Sequence, residues 1–563
     1  MSVRSPRGRR RLPVIAAAML AAAAPALSAR QPPQTPSTIA VIPRPMRMTP
    51  SAGHFRLTPR TIIWTDTASA PLAHQLARYL APATGFTLRV RASRAVPPRG
   101  IVLRRDPRLA RLGPEGYRLD VGPSRVVARA PRAAGVFYAL QTMRQLLPPE
   151  IFRDAPIRAD DFHPGRKGVT WNMPAVVIED QPRFEWRGAH LDVGRHFMPV
   201  GFVKKYIDLL ALHKMNTFHW HLTDDQGWRI EIRKYPNLTA VGARRNETIV
   251  GHPQRDPAQW TFDGEPHGGY YTQDDVREVV AYAQARFVNV VPEIEMPGHA
   301  VAAIAAYPAL GVTGAPIAVA TRWGVFDDIL NAEPSTVAFM QDVLSEVLTL
   351  FPSPFIHIGG DEAAKAKWQA SPAIQARIRA LGVGDERGLQ SWFIRQMDAF
   401  LTAHGRRLVG WDEILEGGLA PNATVMSWRG TQGGIEAARA GHDVVMAPDS
   451  HTYFDHYQSR DTSDEPIAIG GFLPLDTVYS YEPVPAELSP AEARHILGAQ
   501  GQVWTEYMKD PRKVEYMAFP RMCALAEVVW TPAALKDYGN FRDRLVTHLR
   551  RLEALDVNFR RPE

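Results

Sequence analysis

Two adjacent carboxylates close a short apolar run, Phe355–Glu362 (FIHIGGDE), and their setting points to acid–base chemistry. Gly359 and Gly360 let the backbone turn tightly as the run ends, which delivers Asp361 and Glu362 side by side. Acids this close repel when both are ionised, so one pKa is expected to rise, which suits a proton donor near neutral pH. Taken alone, the segment supports a plainer reading about equally well, with Asp361 capping the next helix and Glu362 facing solvent.

The pattern does not stand alone. Polar residues end several other apolar runs: Asp192, Arg195 and His196; Asp224 and Asp225; Glu293, Glu295 and His299; Asp412 and Glu413; and Glu506. Helix capping explains one or two such placements but not their repetition. Trp411, Trp428 and Trp504 each lie at the end of a run, and Tyr453 follows another. Indole faces are flat apolar walls on which the C–H face of a pyranose can stack, so aromatics beside carboxylates suggest a sugar cup. A second chemistry competes with this one. His219 and His221 alternate on one strand and share a face, and with Asp224 they could begin a metal site for a metal-assisted hydrolase. The remaining ligands would have to be scattered single residues, so these histidines are also readable as barrel-interior packing groups.

The elements that must hold these residues are legible as a rhythm. Strand-like runs at Gly188–Val193, Thr217–Leu222, Val288–Ile294, Phe355–Ile358, Leu408–Trp411, Thr424–Trp428, Val444–Met446 and Ile496–Trp504 alternate with amphipathic helices. Those helices include Val203–Leu212, Asp274–Arg286, Thr336–Leu350 and Gln390–His404. Parallel strands need crossover helices, and eight candidates predict a closed (β/α)8 TIM barrel over residues 183–563. No Gly-rich phosphate loop opens any helix, which argues against a doubly wound sheet. Active-site residues of such barrels gather at the C-terminal ends of the strands, where the polar residues above fall. Residues 39–182 read as a smaller α/β domain with strands at Thr61–Trp64 and Val126–Ala128 and helices at Pro71–Ala81 and Ala133–Leu147. No catalytic constellation occurs there.

Of the +8 net charge, Arg4, Arg7, Arg9, Arg10 and Arg11 carry five; without them +3 remains, which is not the dense basic stripe of a nucleic-acid protein. These arginines precede an Ala-rich apolar run, Leu12–Ala24, and small residues near Ser28 and Ala29. That order predicts a secretory signal over 1–29, a linker over 30–38 and export to the periplasm or medium. The run is too short for a membrane span. Cys523 is the only cysteine, so no intrachain disulfide forms, and core packing within Met517–Trp530 is its expected role.

The ordered segments resemble glycoside hydrolase family 20, the β-N-acetylhexosaminidases. They are Arg187–Phe197 (RGAHLDVGRHF), Asn216–Trp228 (NTFHWHLTDDQGW), Val291–His299 (VPEIEMPGH), His357–Glu362, Gly410–Glu413 (GWDE), Met426–Trp428, Tyr453–Asp455 and Gly501–Glu506 (GQVWTE). The resemblance implies retaining exo-hydrolysis of terminal N-acetylhexosamine, assisted by the substrate's own acetamido group and needing neither metal nor cofactor. It makes Glu362 the general acid, Asp361 the acceptor of the acetamido N–H, and Tyr453 the donor to the acetamido oxygen. Arg195, Asp455 and Glu506 would hold ring hydroxyls, Trp411, Trp428 and Trp504 would wall the sugar, and Asp224 with His299 would support the acid. A sugar-binding protein without catalysis is the alternative from another class. The loop from Val241 to Gly269 matches no motif and reads either as a border of the leaving-group site or as a surface insertion.

Overall fold

The computed structural model describes residues 39–156 and 168–562; the predicted signal segment and linker lie outside the described residues. Residues 39–180 carry a seven-stranded mixed sheet in the order Arg47–Arg56, Asn172–Asp180, Tyr117–Val121, Arg125–Ala130, Gly100–Arg105, Ile62–Thr65, Arg89–Ala92. In Tyr117–Val121 buried and half-buried residues alternate, as a strand with one face on a core requires. Helices Ala70–Thr84 and Ala133–Leu146 complete this domain. The second helix is apolar nearly all round because it packs on the sheet on one side and on the next domain on the other. Phe137 meets Phe287 at 5.4 Å and Tyr138 meets Trp530 at 5.3 Å between ring centres.

The second domain is a closed barrel of eight parallel strands. They are β1 Trp186–Asp192, β2 Thr217–His221, β3 Asn289–Glu293, β4 Phe355–His357, β5 Arg407–Trp411, β6 Thr424–Ser427, β7 Val444–Met446 and β8 Ile496–Gly501, with β8 pairing back onto β1. Each overlaps a predicted run. Because helices cover the outside and side chains fill the inside, these strands are buried on both faces and read as continuous apolar stretches. The crossover helices stand where the periodicity puts them, at Val200–Leu212, Gln273–Gln284, Pro334–Leu350 and Glu386–Ala403. A capping box, Thr272 with Asp275, starts the second of these. The barrel interior below the site is plugged by Trp186, Val291, Val409, Met426 and Val445, a packed core and not a pore. Cys523 is buried in helix Arg521–Trp530, its sulfur 3.2 Å from His213 Nε2. Among the described residues, no helix is long and apolar enough to cross a membrane.

Buried ion pairs fasten the small domain to the barrel. Arg187 on β1 is fully buried and donates to both oxygens of Glu115, at 2.9 and 2.7 Å. Lys214 reaches Asp180 at 2.8 Å, and Trp530 Nε1 donates to the same carboxylate at 2.9 Å. Removing one partner of such a pair strands the other charge away from water, which costs about 3–5 kcal/mol. The Glu115→Ala variant is therefore expected to unfold at clearly lower urea concentration than the parent, by about 3 kcal/mol. An unchanged urea midpoint would show that Arg187 is held by its carbonyl partners alone.

Candidate active site

All eight strands end at one mouth, and a cavity of about 340 Å³ opens there. Ten of the eleven predicted site residues line it: Glu362, Asp361, Tyr453, Arg195, Trp411, Trp428, Asp455, Trp504, Glu506 and His299. Asp224 stands directly behind, 3.0 Å from the Arg195 guanidinium. Asp449, which opens the short helix Asp449–Thr452, also lines the cavity, as do His456 and Ile469–Gly471 from segments that carry no periodic signal.

The acid pair is delivered as the glycines suggest. Gly359 and Gly360 have φ of +68° and +93°, a region that favours glycine. A Cβ on Gly359 would lie 1.8 Å from Glu295 Oε2, and one on Gly360 would lie 2.7 Å from Ile414. Glu362 itself takes φ +45°, so the turn orients it at some backbone cost.

The electrostatics correct one expectation. Glu362 is not raised: the hydrogen bond from His299 holds it below the usual glutamate value, against the effect of burial. The imidazole comes from the segment after β3 and wedges between the acids, Nε2 lying 3.4 Å from Glu362 and 3.5 Å from Asp361. Burial alone would strip the His299 proton, but Asp224 and Asp361 hold it well above the ordinary histidine value. A cation between two anions cancels the repulsion that the dipeptide alone implied. Other carboxyls in and behind the cup do rise. Burial, with Glu506 nearby, lifts Asp455 well above the carboxylate range; burial also lifts Glu506, and burial with Asp361 nearby lifts Glu413 to about 8.

Asp224 and His299 do come together, with a second acid beside them. The carboxylate nearest His299 Nδ1 is Asp225, at 3.0 Å, while Asp224 stands at 3.5 Å. Asp224 is engaged by Arg195 at 3.0 Å and by His221 Nε2 at 2.9 Å. Adjacent acids in sequence do not reveal which one faces which neighbour.

Arg195 is buried, yet Asp224, Glu506 and Asp192 outweigh that burial and keep it charged. Its guanidinium lies 5.0 Å from the Trp504 ring, a cation–π placement. The Val241–Gly269 loop proves to be a buttress. Its Arg244–Arg245 pairs with His267–Gly268, and buried Arg245 donates to the Arg195 carbonyl at 2.7 Å. The three tryptophans and Tyr453 form a connected wall: Trp411 and Trp504 centres lie 5.7 Å apart, and Trp428 stacks on Tyr453 at 6.1 Å and 21°. Trp428 Nε1 donates to Glu413 at 3.0 Å, fixing the ring.

The donors of the metal reading are already engaged. His221 Nδ1 lies 2.5 Å from Glu293 and its Nε2 bonds Asp224, which leaves no lone pair for an ion while His221 is charged. His219 Nδ1 is met by Gln500 Nε2 at 2.8 Å.

Comparison with known proteins fits this geometry. Residues 184–533 match the family description "Glycosyl hydrolase family 20, catalytic domain" and residues 38–181 match "domain 2" of the same family. The chain belongs to glycosyl hydrolase family 20. A beta-hexosaminidase of Porphyromonas gingivalis is 43% identical over 94% of this chain and 65% of its own length. A beta-hexosaminidase of Vibrio furnissii is 40% identical over 76% of this chain and 66% of its own, so the chain spans just under two thirds of these two relatives. The GH20 beta-N-acetylhexosaminidase of Streptomyces coelicolor A3(2) superposes with a TM-score of 0.79 at 34% identity, covering 94% of this chain and 98% of that one. A mutant Streptomyces plicatus beta-hexosaminidase in complex with its product GlcNAc superposes with a TM-score of 0.80 at 33% identity, with the same coverages.

Proposed function

We propose that this family 20 protein is a retaining exo-β-N-acetylhexosaminidase that works by substrate assistance. One observation carries the reading. Asp361 Oδ1, Asp455 Oδ1 and Glu506 Oε2 are buried oxygens with no hydrogen-bond partner among the described residues, and all three residues line the cup. Such atoms cost about 1–3 kcal/mol each unless a ligand or water satisfies them, so a ligand that enters the cup finds acceptors already aimed at it. A terminal N-acetylhexosamine offers an amide N–H for Asp361 and ring hydroxyls for Asp455 and Glu506, with Arg195 as a further hydroxyl donor.

In the first step the acetamido oxygen attacks C1, the C1–O bond to the leaving group breaks, and Glu362 gives its proton to the departing oxygen. The intermediate is an oxazolinium ion. Asp361 holds the N–H and balances the positive charge, and the Tyr453 hydroxyl steadies the acetamido oxygen. In the second step Glu362 takes a proton from water, which attacks C1 as the C1–O bond to the acetamido oxygen breaks, so the acetamide is regenerated and the anomeric configuration is restored. The nucleophile is tethered to the substrate, so its effective concentration is high and the protein has only to aim it. Glu362 sits low in the free site; a sugar laid over it removes water and raises its proton affinity at the moment a donor is needed. The names of the relatives above support the same substrate class, and the basic, apolar amino terminus supports export.

The test is hydrolysis of an aryl N-acetyl-β-glucosaminide beside the matching aryl β-glucoside, which lacks the acetamido group. Cleavage of the first alone is expected. Similar rates on both would mean a nucleophile supplied by the protein. Binding of N-acetylglucosamine with no turnover of either would favour a lectin-like role.

A further inference from the structure

Below the sugar cup lies a buried carboxylate that the reaction itself does not use. Glu293, the last residue of β3, is fully buried at the centre of the barrel. Its Oε1 accepts from Trp411 Nε1 at 2.8 Å and lies 2.8 Å from His357 Nδ1. Its Oε2 lies 2.5 Å from His221 Nδ1 and 3.0 Å from His219 Nε2. Three imidazoles and an indole from β2, β4 and β5 thus converge on one anion.

Two arms leave this hub. One is a single bond to Trp411, a wall of the cup. The other runs through His221, whose Nε2 meets Asp224 at 2.9 Å, and on to Arg195 at 3.0 Å. Asp224 also lies 3.5 Å from His299, the contact of Glu362. Burial alone would make His221 neutral, but Glu293 and then Asp224 push its pKa up to about 10. The charged and titratable groups around it are Glu293, Asp224, Asp192, Glu295 at 4.0 Å, His219 and His190. The acids dominate this set. Gln500 donates to His219 Nδ1, which turns the His219 N–H toward Glu293 and leaves the proton between Glu293 and Asp224 to His221.

We propose that Glu293 is the positioning residue of this site, holding Trp411 directly and holding Arg195 through a His221–Asp224 relay, so that one buried anion sets both the wall of the cup and the grip on the sugar hydroxyls. The proposal rests on the reading of the cup as an amino-sugar site. A neutral amide can satisfy Trp411 or His221 but cannot balance the imidazolium, and a hydrophobic residue strands the Trp411 and His221 N–H groups.

The experiment compares the wild type with Glu293→Gln. Three quantities are measured: kcat on an aryl N-acetyl-β-glucosaminide, the Kd of N-acetylglucosamine from pH 6 to 10, and the far-downfield proton resonance of the His221–Glu293 bond. In the variant kcat is expected to fall about 100-fold, the cost of an ångström-scale misplacement of a site wall. The Kd is expected to rise about tenfold at pH 6, as one hydrogen bond to a charged group is lost from the grip. Above that pH binding weakens further, because His221 loses its strongest anionic neighbour and gives up its proton at lower pH than in the wild type. Glu413 titrates in both proteins and cancels in the comparison. The downfield resonance disappears.

A folded Glu293→Gln protein with kcat and Kd within about threefold of wild type would overturn the proposal, as would losses that leave the pH dependence of Kd unchanged. If that variant does not fold, His221→Gln decides the matter, since it cuts the relay while leaving Glu293 bonded to Trp411. Kd should then rise about tenfold with kcat reduced much less, and an unchanged Kd overturns the relay. A wild type that cleaves neither aryl glycoside would instead count against the enzymatic reading, so the two failures are distinct.

Discussion

Glu362→Gln is expected to lose about 10³-fold in kcat/KM on substrates whose leaving group is a sugar or an alkoxide, within the usual reach of general acid catalysis. On a dinitrophenyl glycoside the loss in that parameter should be about tenfold or less, because such an oxide departs without a proton. The same variant cannot activate water, so on the activated substrate the second step becomes limiting and kcat falls. Azide attacks C1 without needing a base, and adding it should restore that kcat and yield a glycosyl azide of retained configuration. The pH profiles carry a further mark of this residue in the wild type. A general acid works in its protonated form, and the hydrogen bond from His299 lowers the Glu362 pKa in the free enzyme. The alkaline limb of kcat/KM, which reports free enzyme, should therefore lie at lower pH than the limb of kcat, which reports the complex. Loss of equal size on good and poor leaving groups would remove Glu362 from the acid role.

Much of this site is legible in sequence because its residues sit at ends of strands that are themselves easy to read. β2, β3 and β5 are buried on both faces, and the polar residues that end them can only be at a mouth or in a cap. Trp411, Trp428 and Trp504 were locatable for the same reason. What sequence does not carry is pairing across strands. Asp224 and Asp225 are neighbours with the same chemistry, and only the fold shows that both face His299, Asp225 at 3.0 Å and Asp224 at 3.5 Å. The charge state of Glu362 depends on the same histidine, so a dipeptide viewed alone gives it the wrong sign. Glu293 is visible in the sequence as one more acid at a strand end, but its four partners come from three other strands. The Ile469–Gly471 rim and the Arg245 buttress belong to loops with no period to read, and their positions follow from tertiary contacts alone.

Asp361→Asn is expected to lower kcat by about 10²–10³-fold on every substrate, whatever its leaving group, the range found when one preorganised charge stabiliser is removed. The asparagine oxygen can still accept the acetamido N–H, so the ground-state complex survives and KM should change by no more than about threefold. What is lost is the negative charge beside a group that becomes an oxazolinium cation, and this loss is felt only as the cation forms. Its magnitude follows from the setting: Asp361 is buried, and its Oδ1 has no hydrogen-bond partner among the described residues to blunt that charge. His299 loses one anion at 3.5 Å in this variant but keeps Asp224 at 3.5 Å and Asp225 at 3.0 Å, so the support of Glu362 remains. The two acid variants therefore separate by their dependence on the leaving group, steep for Glu362→Gln and flat for Asp361→Asn. If the dependence is steep for Asp361→Asn, the roles of the two acids are exchanged. If the loss falls on KM and spares kcat, Asp361 binds the amide without stabilising a cation, and substrate assistance fails as the mechanism.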